Sequence, residues 1–390
     1  MWQIIGRKRH NRQFRIMMPK AAHKYLLRCA LGVTMLLINT DAPCAQDLKA
    51  DTVLSQTGKK KKNNHGEKRQ VTLEKDKWLF SSDEPLQLFV ETDMRRLVRK
   101  ADKGELQAAT IRLVLPDSSV ISEDIELRAR GEYRRENCQM PSVMLDFQTH
   151  YDSSSAFKGK LKIVTSCREG HAYDMLVLKE YLAYRMFSLL SEKSFKVRLL
   201  TIRFTDSEGN RRPLVQPGFI IEDVDDMAKR NNCRETDIKV SHAEMTNRYQ
   251  MTLIALFQYM IGNTDWSVSV KHNIKLITPK KDSMSYPIAV PYDFDYCGFV
   301  NASYAVPEES LGIPSVTVRV YRGYPRSQTE LDAVIGLFNL HEQFIRAMIK
   351  DMKELDSRTR KEAWDYIREF YRIINDPRQV RDVFIRNARM

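Results

Sequence analysis

The chain has 390 residues, 43% of them hydrophobic, and a formal net charge of +13. That length and apolar content exclude a wholly unstructured chain and suffice for a large core shared between two lobes or domains. The charge does not identify a nucleic-acid surface, because much of it crowds the first 70 residues: Arg7, Lys8, Arg9, Arg12, Arg15, Lys20, Lys24 and Arg28, then the run Lys59–Lys62.

Residues 1–45 read as a signal peptide. A basic stretch precedes the apolar run Cys29–Ile38, and small residues follow at Ala42–Ala45. About ten apolar residues are too few to span a bilayer but suit a secretory core. Cleavage after Ala45 would leave Gln46, no transmembrane span in the mature chain, and an exported protein, either periplasmic or at the cell surface or secreted. Residues 46–75 are polar and Lys-rich and read as a disordered linker.

From Trp78 the pattern turns β-like. Strands are expected over 86–90, 109–115, 120–130, 142–147 and 157–164, with a turn at Pro116–Ser119 and a basic loop at Arg130–Arg135. Residues 174–191 predict the first long helix, with a stripe at Leu176, Val177, Tyr181, Leu182, Met186 and Leu189. Two strands follow, over 197–204 and 218–222, then a helix over 243–261. From about 329 onward two or three amphipathic helices are expected, broken at Asn375–Pro377. The expected class is α+β: a two-lobed protein-kinase-like fold, with a β-rich amino lobe over 76–222 and a mainly helical carboxyl lobe over 223–390 that carries the catalytic loop.

The chemistry concentrates between Gly262 and Gly298. Asp265 closes the turn Gly262-Asn263-Thr264-Asp265 and can take a proton from a hydroxyl. Asn273, eight residues on, offers a neutral oxygen, and His272 beside it is expected to be structural. Asp293 and Asp295 lie two apart at a strand end and so point the same way. Paired carboxylates repel unless a cation intervenes. Asn273, Asp293 and Asp295 are therefore the candidate Mg²⁺ (or Mn²⁺) ligands, with Asp293 the principal one. In the amino lobe Lys162 is the candidate nucleotide-binding lysine, with Lys160 close behind and Glu180 as its carboxylate partner. Glu222 is placed at a hinge, and Arg130 in a loop able to grip phosphates. Asp223, Asp225 and Asp226 lack regular calcium-loop spacing and read as surface. No Gly-x-Gly-x-x-Gly, Walker, Gly-x-Ser-x-Gly or His-Glu-x-x-His motif occurs, which argues against hydrolase and zinc-protease chemistry. Four cysteines would survive export. Two disulfides in any of three pairings and buried free thiols both remain open.

These residues resemble the spore-coat-protein-H-like (CotH-like) family of atypical protein kinases over about Leu127–Gly298. The carriers are Arg130-Gly131, Phe219–Glu222, Gly262–Asp265 with His272-Asn273, and Pro291–Asp295. The resemblance implies a two-lobed kinase that transfers phosphate from ATP to a protein hydroxyl, with Asp265 as catalytic base and Asn273 and Asp293 on Mg²⁺. The leading expectation is thus an exported kinase-like phosphotransferase acting on a protein or glycan hydroxyl. The alternative is a secreted, non-catalytic pseudokinase or scaffold that binds a polyanion or protein partner.

Overall fold

The structure is a computed structural model that describes residues 79–99, 104–147, 157, 159–282 and 284–388. All of these belong to one compact unit, Lys68–Met390. The signal peptide expected over 1–45 and the linker over 46–75 lie outside the described residues.

Alternation builds the first half. β1 (Leu86–Thr92) buries Leu86, Leu88, Val90 and Thr92, and β2 (Gln107–Val114) buries every second residue from Gln107. Between them lies the short helix α1 (Met94–Arg99). A tight turn leads into β3 (Val120–Arg130): Ser118 adopts a positive φ, and the Asp117 carboxylate accepts from the Ser119 amide at 2.9 Å. The short helix α2 (Glu132–Asn137) follows, where a basic loop was expected, and then β4 (Ser142–Asp146) and β5 (Lys160–Thr165). The helix α3 (His171–Leu190) precedes β6 (Val197–Asp206) and β7 (Leu214–Ile221).

These seven strands close into a barrel in the order β1-β2-β3-β4-β5-β7-β6. The closing contact is a parallel pairing of β1 with β6, from Leu86 opposite Leu200 to Thr92 opposite Asp206. The Asp206 carboxylate locks that end, accepting from the amides of Met94, Asn210 and Arg211. Leu88, Val90, Ile111, Leu113, Ile125, Leu127, Val143, Leu145, Ile202 and Phe204 form one core cluster.

This closed barrel corrects the expectation of a two-lobed protein-kinase-like fold. The mixed α+β character stands, but the amino-terminal strands do not make a kinase amino lobe. The strand runs were visible in the sequence. The pairing of β1 with a strand more than a hundred residues away was not, because each strand's pattern reports only which of its faces is buried.

The second half packs on the outside of β6 and β7. Val197, Leu199, Phe219 and Ile221 join a second core, whereas Leu200, Ile202 and Ile220 join the barrel's own. Burial on both faces explains why these strands read as near-continuous apolar runs. The second core also holds α3, α4 (Val224–Arg230), α5 (Arg248–Ile261), α6 (Gln328–Asp351), α7 (Ser357–Ile374) and α8 (Pro377–Arg381). A three-stranded sheet, ordered β10 (Ile288–Pro291), β9 (Ile274–Pro279), β8 (Cys233–Glu235), completes it. Asp223 caps α4 by accepting from the Asp225 amide at 3.0 Å, so the Asp223–Asp226 acids are a helix start. Asp376 and Pro377 start α8 at the expected break.

The end of α5 sets the entry to the site. Gly262 terminates it in the left-handed region at φ 64°, and its carbonyl accepts from the Gly298 amide at 3.0 Å. A Cβ at Gly262 would lie 2.0 Å from the Tyr366 hydroxyl. Gly262→Ala combines left-handed strain with overpacking and should cost about 2–4 kcal/mol, read from urea unfolding.

Candidate active site

The buried strand β10 delivers Tyr292 and then Asp293, which takes a positive φ of 62°. The Asp293 amide donates to the Tyr184 hydroxyl of α3 at 2.8 Å, holding the chain in that conformation. Asp293 and Asp295 both line one cavity, and the Asp295 charge acts on the Asp293 carboxyl, so the two acids do face together. Asp295 is also anchored: its Oδ2 accepts from Arg134 Nη2 at 3.2 Å and from the Tyr304 hydroxyl at 3.1 Å.

Asp265 follows the α5 cap, and its amide donates to Asn263 Oδ1 at 3.0 Å. Residues 266–272 then make a short excursion closed by reciprocal backbone hydrogen bonds between Ser267 and His272, both 2.9 Å. That closure returns the chain to its start and explains why an eight-residue gap still brings Asn273 to Asp265. Asn273 Nδ2 donates to the Asp265 carbonyl at 2.8 Å and to its Oδ2 at 2.9 Å. His272 Nε2 lies 2.7 Å from Asp265 Oδ1. The Asn273 carbonyl in turn accepts from the Tyr292 amide at 3.0 Å, tying this loop to the Asp293 strand. With Nδ2 committed, Asn273 Oδ1 accepts no hydrogen bond among the described residues.

The cationic residues are arranged differently from expectation. Glu180 does not pair with Lys162. Its Oε2 accepts from Arg134 Nη2 at 2.8 Å, while Lys162 Nζ sits 3.4 Å from Asp223 Oδ2 and Lys160 pairs with Asp146 at 3.5 Å. The reason is geometric: α2 lays Arg134 over the end of β5, and the guanidinium reaches Glu180 first. Glu222 is likewise not at the site. It is 3% exposed, accepts from Nε and Nη2 of Arg230 at 3.0 and 2.8 Å, and accepts from the Lys196 amide at 2.9 Å. It braces α4 against the start of β6. Arg130 faces the site, and its side chain makes no hydrogen bond or ion pair among the described residues.

A cavity of about 750 Å³ gathers Arg130, Lys162, Glu180, Asp265, Asn273, Asp293 and Asp295; of the candidates, Glu222 and the runner-up lysine Lys160 do not line it. Arg134, Tyr184 and Ser142 join them. Ser142 pairs with Arg130 across β3 and β4, and its buried Oγ has no partner among the described residues. Arg134 lay inside the basic run that sequence had marked, but nothing local distinguished it from Arg135. Tyr184 had no signal beyond its place on a buried helix. Among the described residues no three His, Cys, Asp or Glu side chains group as a metal site; the expected set has two carboxylates and an amide.

Burial, and then the neighbouring Asp295 charge, push the Asp293 carboxyl up to about 7 against the pull of Arg134 and Arg130. Burial also raises Glu180, opposed by Arg134. Burial disfavours the charge on Arg134, yet Glu180 and Asp295 more than compensate and raise it. The cysteines divide: Cys138 and Cys167 form a disulfide, and Cys233 and Cys297 are buried free thiols, so Cys297 makes no covalent tie near the site.

Comparison of the chain with family models, with curated proteins and with solved structures finds no match. No helix among the described residues is long and apolar enough to cross a membrane.

Two measurements separate these roles. An acid whose folded-state pKa is raised stabilises the fold fully below its unfolded value of 3.8, and that contribution is lost as the pH rises through about 7. Asp293→Asn, which mimics the protonated acid, should therefore gain stability relative to the parent between about pH 4 and about pH 7, in matched urea titrations without divalent cation. Glu222→Ala should cost about 2–3 kcal/mol by leaving Arg230 only its longer carboxylate contact, to the exposed Glu192, and should leave ligand affinity at the cavity unchanged by calorimetry.

Proposed function

We propose that the chain is an exported, Mg²⁺-dependent phosphotransferase that moves the γ-phosphate of ATP to a protein or glycan hydroxyl. The observation that carries this reading is the joint presence, in one cavity, of Asp265, Asn273, Asp293 and Asp295 with the cations Arg130 and Lys162. The motif resemblance to CotH-like kinases supports it independently of fold.

The residues fit a divalent cation. Asn273 Oδ1 has no donor among the described residues, and Asp293 is a carboxyl raised by burial and by the Asp295 charge, the arrangement a bound cation relieves. Asn273 and Asp293 would hold it, with Asp295 less available because Arg134 and Tyr304 already engage its Oδ2. When bound, the cation would neutralise phosphate charge. Arg130 and Lys162 would bind phosphate oxygens, and the Ser142 hydroxyl, without a partner among the described residues, would donate to one. Asp265, oriented by His272 and Asn273, would accept the proton of the acceptor hydroxyl.

A second reading, a binding protein without turnover, is favoured by one observation: Lys162 is paired with Asp223 and not with Glu180. Thermal unfolding separates the two. ATP with Mg²⁺ or Mn²⁺ at a hundredfold excess over Kd should stabilise the chain by about 2.7 kcal/mol, and Asp293→Ala should abolish the effect. Asp265→Asn should keep nucleotide binding and lower phosphate transfer about 10²–10⁴-fold. Absence of any nucleotide- or metal-dependent shift selects the scaffold.

A further inference from the structure

Arg134 is 8% exposed and makes three contacts on three different elements. Its Nη1 donates to the Thr165 carbonyl at the end of β5 at 2.8 Å, and its Nη2 donates to Glu180 of α3 and Asp295 of the loop after β10. One guanidinium therefore sets the distance between barrel, helix and acidic loop. It sits on α2, a helix of six residues whose start has no side-chain cap. So short a helix has little intrinsic stability and takes its position from what holds its ends.

What holds it is the bridge. Cys138, the residue immediately after α2, is joined to Cys167, two residues beyond Thr165. The amides of Gln139 and Met140 also donate to the Cys167 carbonyl, at 2.9 and 3.3 Å. The disulfide thus fastens the carboxyl end of α2 to the same strand end whose carbonyl Arg134 uses. We propose that Arg134, clamped through α2 by the Cys138–Cys167 disulfide, is the positioning residue that aims the Asp293–Asp295 pair into the cavity. Its functional meaning rests on the reading of Asp293 as a cation ligand; its structural content does not. Arg suits the position because its planar fork directs separate nitrogens, Nη1 and Nη2, to acceptors on different elements, whereas the three donors of a lysine all radiate from one nitrogen.

The test uses the full chain with two variants, Arg134→Lys and the double change Cys138→Ser with Cys167→Ser. Amide hydrogen exchange is followed at 293–297, where the Asp293 and Cys297 amides are hydrogen-bonded to Tyr184 and to the Phe294 carbonyl. Mn²⁺ affinity is measured in parallel by paramagnetic resonance of the free ion. Both variants should exchange faster at 293–297, with α5 and the barrel strands unchanged, and should bind Mn²⁺ about 10–100-fold more weakly. Faster exchange confined to 132–140 and 165–167, with 293–297 unaltered, would overturn the proposal, as would unchanged exchange throughout. If Arg134→Lys does not fold, the cysteine pair decides alone. If the parent binds no Mn²⁺, the phosphotransferase reading fails, and the exchange comparison still decides whether Arg134 and its bridge position the acids.

Discussion

Three carboxylates, Glu180, Asp293 and Asp295, are carried into one corner of the molecule where water is scarce, and a single buried guanidinium offsets their repulsion. Desolvating a carboxylate is costly unless it is paired and hydrogen-bonded, and Arg134 with Tyr304 supplies that pairing to Glu180 and Asp295. The arrangement constrains everything around it. The β5 end, α3 and the loop after β10 must meet where the guanidinium can reach all three. Asp293 alone of the three has no cation in direct contact among the described residues, and like the other two it lines the cavity.

The barrel acts as the rigid wall of this site. Arg130, Ser142 and Lys162 stand on the adjacent strands β3, β4 and β5, so their spacing is set by the ladder and not by loop conformation. The facing acids and the Asp265 loop come from the second core, where α5 and the small sheet fix them. Because β6 and β7 contribute one face to each core, the two halves cannot slide without breaking apolar contacts on both sides.

Backbone strain marks the same place. Asn273 and Asp293, which both line the cavity, have positive φ, a conformation that costs non-glycine residues about 1–3 kcal/mol each. Asn and Asp tolerate it better than most, which suits the residue types found. The surrounding bonds hold it: Ser267 with His272, the Tyr292 amide on the Asn273 carbonyl, and the Asp293 amide on Tyr184. Strain retained at side chains that share a cavity fits selection for the site's geometry better than selection for stability.

Local patterning in the sequence determined most elements, and with them the group of site candidates. The alternation in β1 and β2, the apolar stripe of α3, the helix break at Asn375–Pro377 and the Asp265, Asn273 and Asp293 set all lie within windows where neighbouring residues specify one another. Tertiary structure alone decided the rest. Closure of the barrel depends on β1 meeting β6, and no period in either strand names its partner. Arg134 finds acceptors 31, 46 and 161 residues away, displacing the expected Lys162–Glu180 pair, while Arg230 and the Lys196 amide hold Glu222 away from the site. The pairing of Cys138 with Cys167, leaving Cys233 and Cys297 free, is of the same kind. Periodicity reports which face of an element is buried. Which charge meets which is settled only when the elements pack, because the strength of an ion pair depends on distance and burial that no local window contains.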